Sequence, residues 1–354
     1  MILINTRIMT ILISGDKMTI DKILLDHGSG GKLSHKLISE ILVPIFDNPI
    51  LSSMDDGAVF EIPKGKMAFS TDTYVVDPIF FPGGDIGELA VNGTVNDIAM
   101  CGASPVYLSA GLIIEEGFSI HDLEKILKTM EKAARKAKVY IVTGDTKVVP
   151  KGAADKIFIN TSGIGMIYDK ADTASSNAKP GDKIIISGTM ADHGITILTQ
   201  REGMKFDTSI KSDTAPLNHV VKNMLTDYPQ AVHVLRDPTR GGVGTALNEI
   251  AESSKAGIKI YEQRLPVKKE VAGICELLGF DPLYIANEGK FIAVVSPDMA
   301  DQVLKLIHED EYGRDACIIG QVTDDHPGRV FMETSIGGTR IVDMLTGEQL
   351  PRIC

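Results

Sequence analysis

Tryptophan is absent from this 354-residue chain, and only 5% of its residues are aromatic. Stacking platforms of the kind that hold single-stranded nucleic acid are therefore poorly supplied. Positive charge is also short: 36 Lys and Arg stand against 47 Asp and Glu, a formal net charge of −11. A phosphate-backbone binder needs the opposite balance, so nucleic acid is not an expected partner. The four cysteines, Cys101, Cys275, Cys317 and Cys354, make no Cys-x-x-Cys pair and no zinc spacing with histidine. Neither a disulfide framework nor a zinc site is suggested, and a reducing cytoplasm fits. No apolar run is long enough to span a bilayer, so no membrane role is expected. The most apolar stretch, MILINTRIMTILIS (1–14), holds Arg7 and lacks the basic front and cleavage site of a signal peptide. It reads as a non-functional extension, with an extra edge strand as the alternative.

What remains is an ordinary globular composition, 44% hydrophobic and 23% charged. The length exceeds what one core usually serves, which predicts two domains. Apolar-alternating runs at 66–71, 106–114, 139–144 and 156–167 predict strands. Between them, 120–137 places Leu123, Ile126, Leu127, Met130, Ala134 and Ala137 at helical spacing behind a Ser119/Asp122 capping box. Turn-rich SSNAKPGDK (175–183) marks the boundary to a second α+β block, with a strand at 183–188 and helices over 243–254 and 298–309. From Gly337 to Cys354 the chain has too few apolar residues for a core of its own and reads as a mobile tail. Cys101, Cys275 and Cys317 sit in apolar contexts and read as small core residues.

Chemistry concentrates at glycines and aspartates. DHGSGGK (26–32) offers Gly28, Ser29, Gly30, Gly31 and Lys32 ahead of a helix over 33–42, where several backbone N–H groups could approach a phosphate; a plain glycine turn is the alternative. Carboxylates recur where elements end: Asp55 and Asp56, Asp72, Asp97 and Asp145. Convergent carboxylates from separate elements suit a hard divalent cation that also binds phosphate oxygens, although each alone could be a solvated turn residue. On a helix over 86–100, Gly93 lies one turn before Asp97 and would leave room beside it. RDPTRGG (236–242) puts Asp237, Thr239, Arg240, Gly241 and Gly242 at a helix start, an anion site or a plain N-cap. SGTMADHG (187–194) poses the same choice.

With DHGSGGK, FSTDTYVVDPIFFPGGDIGELA, NDIAMCGASP, VTGDTKVV, RDPTRGG, ANEGK and a terminal PRIC together, the chain over residues 20–354 resembles the HypE family of hydrogenase maturation factors. That family belongs to the PurM-like, or aminoimidazole ribonucleotide synthetase, superfamily. The resemblance implies an α+β, two-domain PurM-like architecture: an extension over 1–19, an N-terminal, strand-rich ATP-binding domain over 20–174 that forms a homodimer, a C-terminal α+β domain over 175–336, and a flexible tail over 337–354. It further implies an ATP- and Mg²⁺-dependent carbamoyl dehydratase. Cys354, loaded by a HypF-like carbamoyltransferase, would carry a carbamoyl group that becomes a thiocyanate. A HypC–HypD-like iron scaffold would then accept the cyanide for the [NiFe] centre. Catalysis is implied for Cys354, Lys147 and Glu288, the last two as proton-handling groups if burial shifts their pKa values. Metal binding is implied for Asp56, Asp97 and Asp237, with Asp55, Asp72 and Asp145 as further metal or phosphate contacts. A small-molecule kinase or synthetase of the same superfamily, or a non-catalytic thiol carrier, is the alternative.

Overall fold

The computed structural model describes residues 10–13, 16–19, 21–29, 32–53, 57–61, 63–201, 209–347, 350 and 352–354. Gly30, Gly31, Asp55, Asp56 and Pro351 lie outside the described residues. Near the N-terminus, β1 (Thr10–Ile13) and β2 (Asp16–Thr19) pair antiparallel as their own two-stranded sheet, so this segment is not an edge strand of a larger sheet. The glycine segment leads into α1 (Lys32–Leu37) and α2 (Val43–Phe46). Between them, Ile38–Leu42 widens to a π-helix just before Pro44, which has no N–H to offer the preceding turn.

A four-stranded sheet follows, built from β3 (Met67–Tyr74), β6 (Ala103–Glu115), β7 (Tyr140–Val149) and β8 (Ile157–Ile167) in the order β3-β8-β6-β7. The small hairpin β4 (Phe80–Phe81) and β5 (Gly84–Asp85) stands between β3 and β6 in sequence. Strands β6 and β7 run parallel, and the crossover that parallel pairing requires is α4 (Ile120–Ala137). Ser119 caps α4 by accepting from the Asp122 N–H, as the sequence predicts. Helix α3 (Ile86–Met100) packs beside α4 on one face of this sheet. At Gly87 a Cβ would stand 2.5 Å from the Ile126 carbonyl, so only glycine lets the two helices approach this closely. Asp85 caps α3, accepting from the Gly87 and Glu88 N–H groups and from the Thr129 hydroxyl.

The second sheet has seven strands in the order β10-β12-β9-β13-β11-β14-β15. They are β9 (Lys183–Ile186), β10 (Val232–Arg236), β11 (Gly257–Tyr261), β12 (Ile292–Val295), β13 (Cys317–Thr323), β14 (Val330–Glu333) and β15 (Thr339–Val342). Strand β12 is buried at all four positions, as a central strand covered on both faces should be. The helices are α5 (Asp192–Arg201), α6 (Asn218–Asp227), α7 (Gly242–Ser254), α8 (Lys269–Leu278) and α9 (Ala300–His308). Helix α7 fills one apolar cluster with Val243, Leu247 and Ile250, and α6 with α9 fills another through Val221, Met224 and Val303.

Helix α3 joins the two halves. Ala99 and Met100 enter the cluster around α6, while Asn96 donates to the Ala215 and Glu288 carbonyls and accepts from the Leu217 N–H. The expected mobile tail needs correction in two places. Thr339–Val342 closes the free edge of β14, with Val342 buried and Arg340 paired to Asp281 at 2.6 Å. Ile353 and Cys354 are buried against the first domain, because the final carbonyls find donors there. Of the cysteines expected in the core, Cys275 is buried, Cys317 is half-buried, and Cys101 is exposed because it caps the end of α3 beyond the last packed turn.

Candidate active site

The end of the chain, residues 352–354, lies in the cleft between the two halves. Asp77 N–H donates to the Arg352 carbonyl at 3.3 Å and Val75 N–H to a terminal carboxylate oxygen of Cys354 at 2.9 Å, both from the segment after β3. The Arg352 side chain returns the contact, donating to the Val75 carbonyl at 2.9 Å and pairing with Asp155 at 2.6 Å. Cys354 is thereby held with only 8% of its surface exposed. Its thiol is pushed up to about 12, first by burial and then by the charge of Glu288, with the Arg240 guanidinium hydrogen-bonded to it pulling the other way. The thiol is therefore neutral when docked. A cavity of about 510 Å³, lined among others by Val75, Arg240, Gly241, Ala286 and Cys354, opens beside it.

Acid groups surround this point. Glu288 is 3% exposed, with Oε1 making no hydrogen bond, and its carboxyl is pushed well above the usual range by burial, then by Asp213, Asp72, Asp237 and Asp97. Its N–H donates to Asp213 Oδ1, and Asp213 pairs with Lys290 at 3.3 Å. Asp97, on the last turns of α3, accepts from the Ser70 hydroxyl of β3 at 2.8 Å. Burial and the neighbouring Asp237 raise it to about 7, and Asp237 is raised as well, mainly by burial. Burial and neighbouring negative charge thus hold the pair toward its protonated form. Asp72, on β3, lies 3.6 Å from Arg240.

The turn that aims Asp237 and Arg240 depends on its glycines. Gly241 and Gly242 both have left-handed φ, 71° and 62°, and a Cβ on Gly242 would stand 2.6 Å from the Leu283 carbonyl. Gly242 N–H closes the turn on the Thr239 carbonyl. The Asp97/Asp237 pair fits a hard divalent cation: two buried oxygen-donor groups whose negative charge the cleft disfavours and a cation would relieve. Among the described residues no group of three or more His, Cys, Asp and Glu is arranged to hold a metal. Two carboxylates are what Mg²⁺ commonly takes from protein when phosphates and water complete its shell.

A second cluster lies apart. Asp145 and Lys147 are on β7, at the opposite edge of the sheet from Asp72, so three interstrand spacings, roughly 14 Å, separate them. Lys147 is paired with Asp145 at 2.9 Å, which holds Asp145 below the ordinary carboxylate range. Its side chain is 63% exposed, so the burial expected of it is not met within one chain. Gly28 belongs to this cluster: a Cβ on it would stand 2.4 Å from the Val148 N, and it lines a cavity of about 290 Å³ with Ser34, Asp145 and Lys147. Ser29 spends its hydroxyl within the turn, on the Asp26 carbonyl, and Lys32 is exposed at the start of α1.

Of the residues expected from sequence, the structure brings Asp72, Asp97, Asp237, Thr239, Gly241, Gly242, Glu288 and Cys354 to one cleft. It leaves Gly28, Ser29, Lys32, Asp145 and Lys147 at the β7 edge. Gly93 does not make room for Asp97; the place of its Cβ is taken by the Tyr74 hydroxyl, at 2.2 Å. The sequence reading missed Asp213 and took His193 only as part of SGTMADHG (187–194), an anion site or a plain N-cap; the two sit beside Glu288 and the tail. It saw Arg240 only as part of an anion turn.

Models of the AIR synthase related protein family match this chain twice, the N-terminal domain over residues 54–167 and the C-terminal domain over 179–333. The carbamoyl dehydratase HypE of Rhizobium leguminosarum bv. viciae is 51% identical over 350 residues, covering 98% of this chain and all of that protein. That coverage reaches into residues 1–17, so part of this segment has a counterpart in that relative. A crystal structure of hydrogenase maturation protein HypE in complex with ATP superposes with a TM-score of 0.90 at 52% identity, covering 94% of this chain and 99% of that one. A crystal structure of a HypE–HypF complex gives 0.77 at 51% identity, covering 87% and 99%. By sequence over nearly its whole length and by fold, the chain belongs to the HypE family of carbamoyl dehydratases, within the PurM-like, AIR synthase related superfamily.

Proposed function

We propose that this chain dehydrates a carbamoyl group carried on the Cys354 sulfur to a thiocyanate, with ATP converted to ADP and phosphate, in the cytoplasmic maturation of [NiFe] hydrogenase. The observation that carries this reading is the docked terminus: the last residue's thiol lies between Arg240 and Glu288, with a cavity of about 510 Å³ beside it. Loaded, the sulfur bears –C(=O)NH₂. Phosphoryl transfer to the carbonyl oxygen with loss of one N–H proton makes that oxygen a leaving group, and loss of phosphate with the second proton leaves –S–C≡N. The oxygen departs in phosphate, so the atoms of one water are removed.

Arg240 is placed to hold the oxygen that gains negative charge, and Glu288 to handle an amide proton. Asp72, Asp97 and Asp237 all help keep Glu288 protonated. Neutralising them returns Glu288 toward the range in which it acts as a base. Mg²⁺, held by Asp97 and Asp237 with Asp55 or Asp56 as further ligands, would supply charge stabilisation on the transferred phosphoryl group.

Lys147, Asp145 and the glycine segment contribute across a homodimer in this reading. Phe69, Met67 and Ile113 are exposed on the face of the first sheet opposite α3 and α4, and by register Asp145 and Lys147 lie on the same face. A second copy packed there would bring its β7 edge toward the first. A HypF-like carbamoyltransferase is the loading partner and a HypC–HypD-like iron scaffold the acceptor of cyanide.

Mass spectrometry of the Cys354 peptide, on protein carbamoylated by the transferase, before and after Mg-ATP, tests the reading. Loss of one water is the expected result. An unchanged mass on loaded protein would leave a carrier, and failure to load would favour a kinase of a free metabolite.

A further inference from the structure

The docked tail is gripped from two sides. The Arg352 carbonyl and a terminal carboxylate oxygen of Cys354 face the segment after β3, where the Asp77 and Val75 N–H groups hold them. The carbonyl between, at Ile353, meets His193 Nε2 at 2.8 Å instead. His193 opens α5, and near the other end of that helix Arg201 donates to the Arg352 carbonyl. Helix α5 is thus the part of the second domain that holds the tail's backbone.

The imidazole has one arrangement here. A carbonyl only accepts, so Nε2 must carry the proton. The ring is fully buried and burial lowers its affinity for a second proton, so Nδ1 is an acceptor. Its partner at 2.8 Å is the Ser212 hydroxyl, which must then donate. Ser212 Oγ in turn accepts from the Thr214 N–H at 3.2 Å, which completes its bonding and fixes the hydroxyl's direction. The edge of the His193 ring packs against Phe81, centroids 5.7 Å apart and planes at 89°. Hydrogen bonding thus selects the tautomer and Phe81 packs the ring in place. Asp213, next to Ser212, accepts from the Glu288 N–H, so the loop that aims His193 also positions Glu288.

We propose that His193, oriented by Ser212, is the positioning residue that latches the Ile353 carbonyl and so sets the balance between Cys354 docked beside Glu288 and Cys354 open to a second protein. A thiol only 8% exposed cannot enter another enzyme's active site without leaving this one. Release must break the His193 bond. The consequence for catalysis rests on the dehydratase reading above; the latch itself does not.

Cys101, exposed on the same chain, is an internal reference for a test that needs neither ATP nor a carbamoyl donor. The full-length protein is alkylated with iodoacetamide, and the rates at Cys354 and Cys101 are read by peptide mass spectrometry. His193→Gln extends an amide N–H toward the Nε2 position, whereas His193→Asn reaches only that of Nδ1. Loss of one net hydrogen bond shifts the docked population about tenfold. His193→Asn is expected to raise the Cys354:Cys101 rate ratio by about tenfold, Ser212→Ala by a smaller factor, and His193→Gln to stay near wild type. In loaded protein, His193→Asn should slow loss of water and leave loading intact. A ratio unchanged in His193→Asn, or raised equally in His193→Asn and His193→Gln, overturns the latch. A raised ratio in protein that never loses water supports the latch and removes the dehydratase reading alone.

Discussion

The two acidic clusters differ in what surrounds them. In the cleft, Asp97, Asp237 and Glu288 meet other carboxylates with little water, and each is pushed up. At the β7 edge, Asp145 meets Lys147 in the open and is pushed down. The first arrangement is unfavourable in the protein alone and is relieved by a cation or a proton; the second is satisfied as it stands. Unfavourable charge kept inside a cleft points to a ligand, and a satisfied surface pair does not by itself. The largest test of the cleft is at its end. Cys354→Ala should abolish loading altogether, seen as no gain of mass with the carbamoyltransferase; loading of that variant would move the carrier thiol elsewhere.

Next in size is the relation between the clusters. Glu288→Gln and Lys147→Ala, each alone, should slow loss of water from loaded protein by roughly 10²-fold or more, the usual worth of a proton-transfer group. If each site combines the cleft of one chain with the β7 edge of another, mixing the two variants restores turnover, because a mixed dimer holds one intact site. Mixing without recovery would confine each site to one chain. Phe69→Asp, on the exposed sheet face, should lower the mass in light scattering and abolish that recovery.

The division between clusters was not legible in the sequence, and the reason is topological. Spacing placed Asp72, Asp97 and Asp145 where elements end, near glycine or a turn, but β3 and β7 run on past Asp72 and Asp145 to Tyr74 and Val149. Which strand lies at which edge depends on pairings distant along the chain: β8 inserts between β3 and β6, which leaves β7 far from Asp72. Asp237 was legible as chemistry because a glycine turn marks it, and Glu288 only through the resemblance that ANEGK carries. Asp213 carries no such mark, and SGTMADHG (187–194) marks His193 only as part of an anion site or N-cap, for their roles come from contacts with the tail and with Glu288. The tail itself looked too polar to fold; its backbone is held by donors on other segments, which composition does not report.

Stability should separate the clusters as well. A carboxyl raised in the folded state binds more protons there than when unfolded, so stability falls as pH rises through the interval. For Asp97 that interval runs from its ordinary value of 3.8 to about 7, and the loss is on the order of a few kcal/mol, shared with Asp237. Asp97→Asn should therefore melt above wild type at pH 8, with the gap closing toward pH 4, and Mg²⁺ should narrow the gap by stabilising wild type. A gap that does not vary with pH, measured by scanning fluorimetry, would show that the Asp97 carboxylate is not strained.

The smallest effect is expected at the open edge. Asp145 is more than half exposed and its partner Lys147 equally so, and ion pairs in that setting contribute little after solvent screening. Asp145 is lowered, so what stability it lends is present above its ordinary range and lost only in acid. Asp145→Asn should leave stability at pH 8 within about 0.5 kcal/mol of wild type, and Mg²⁺ should shift wild type and variant alike. A large Mg²⁺-dependent difference between them would instead place a cation at the β7 edge, and the contrast between a strained cleft and a satisfied edge would then fail, because both clusters would be parts of one metal site completed by a second copy of the chain.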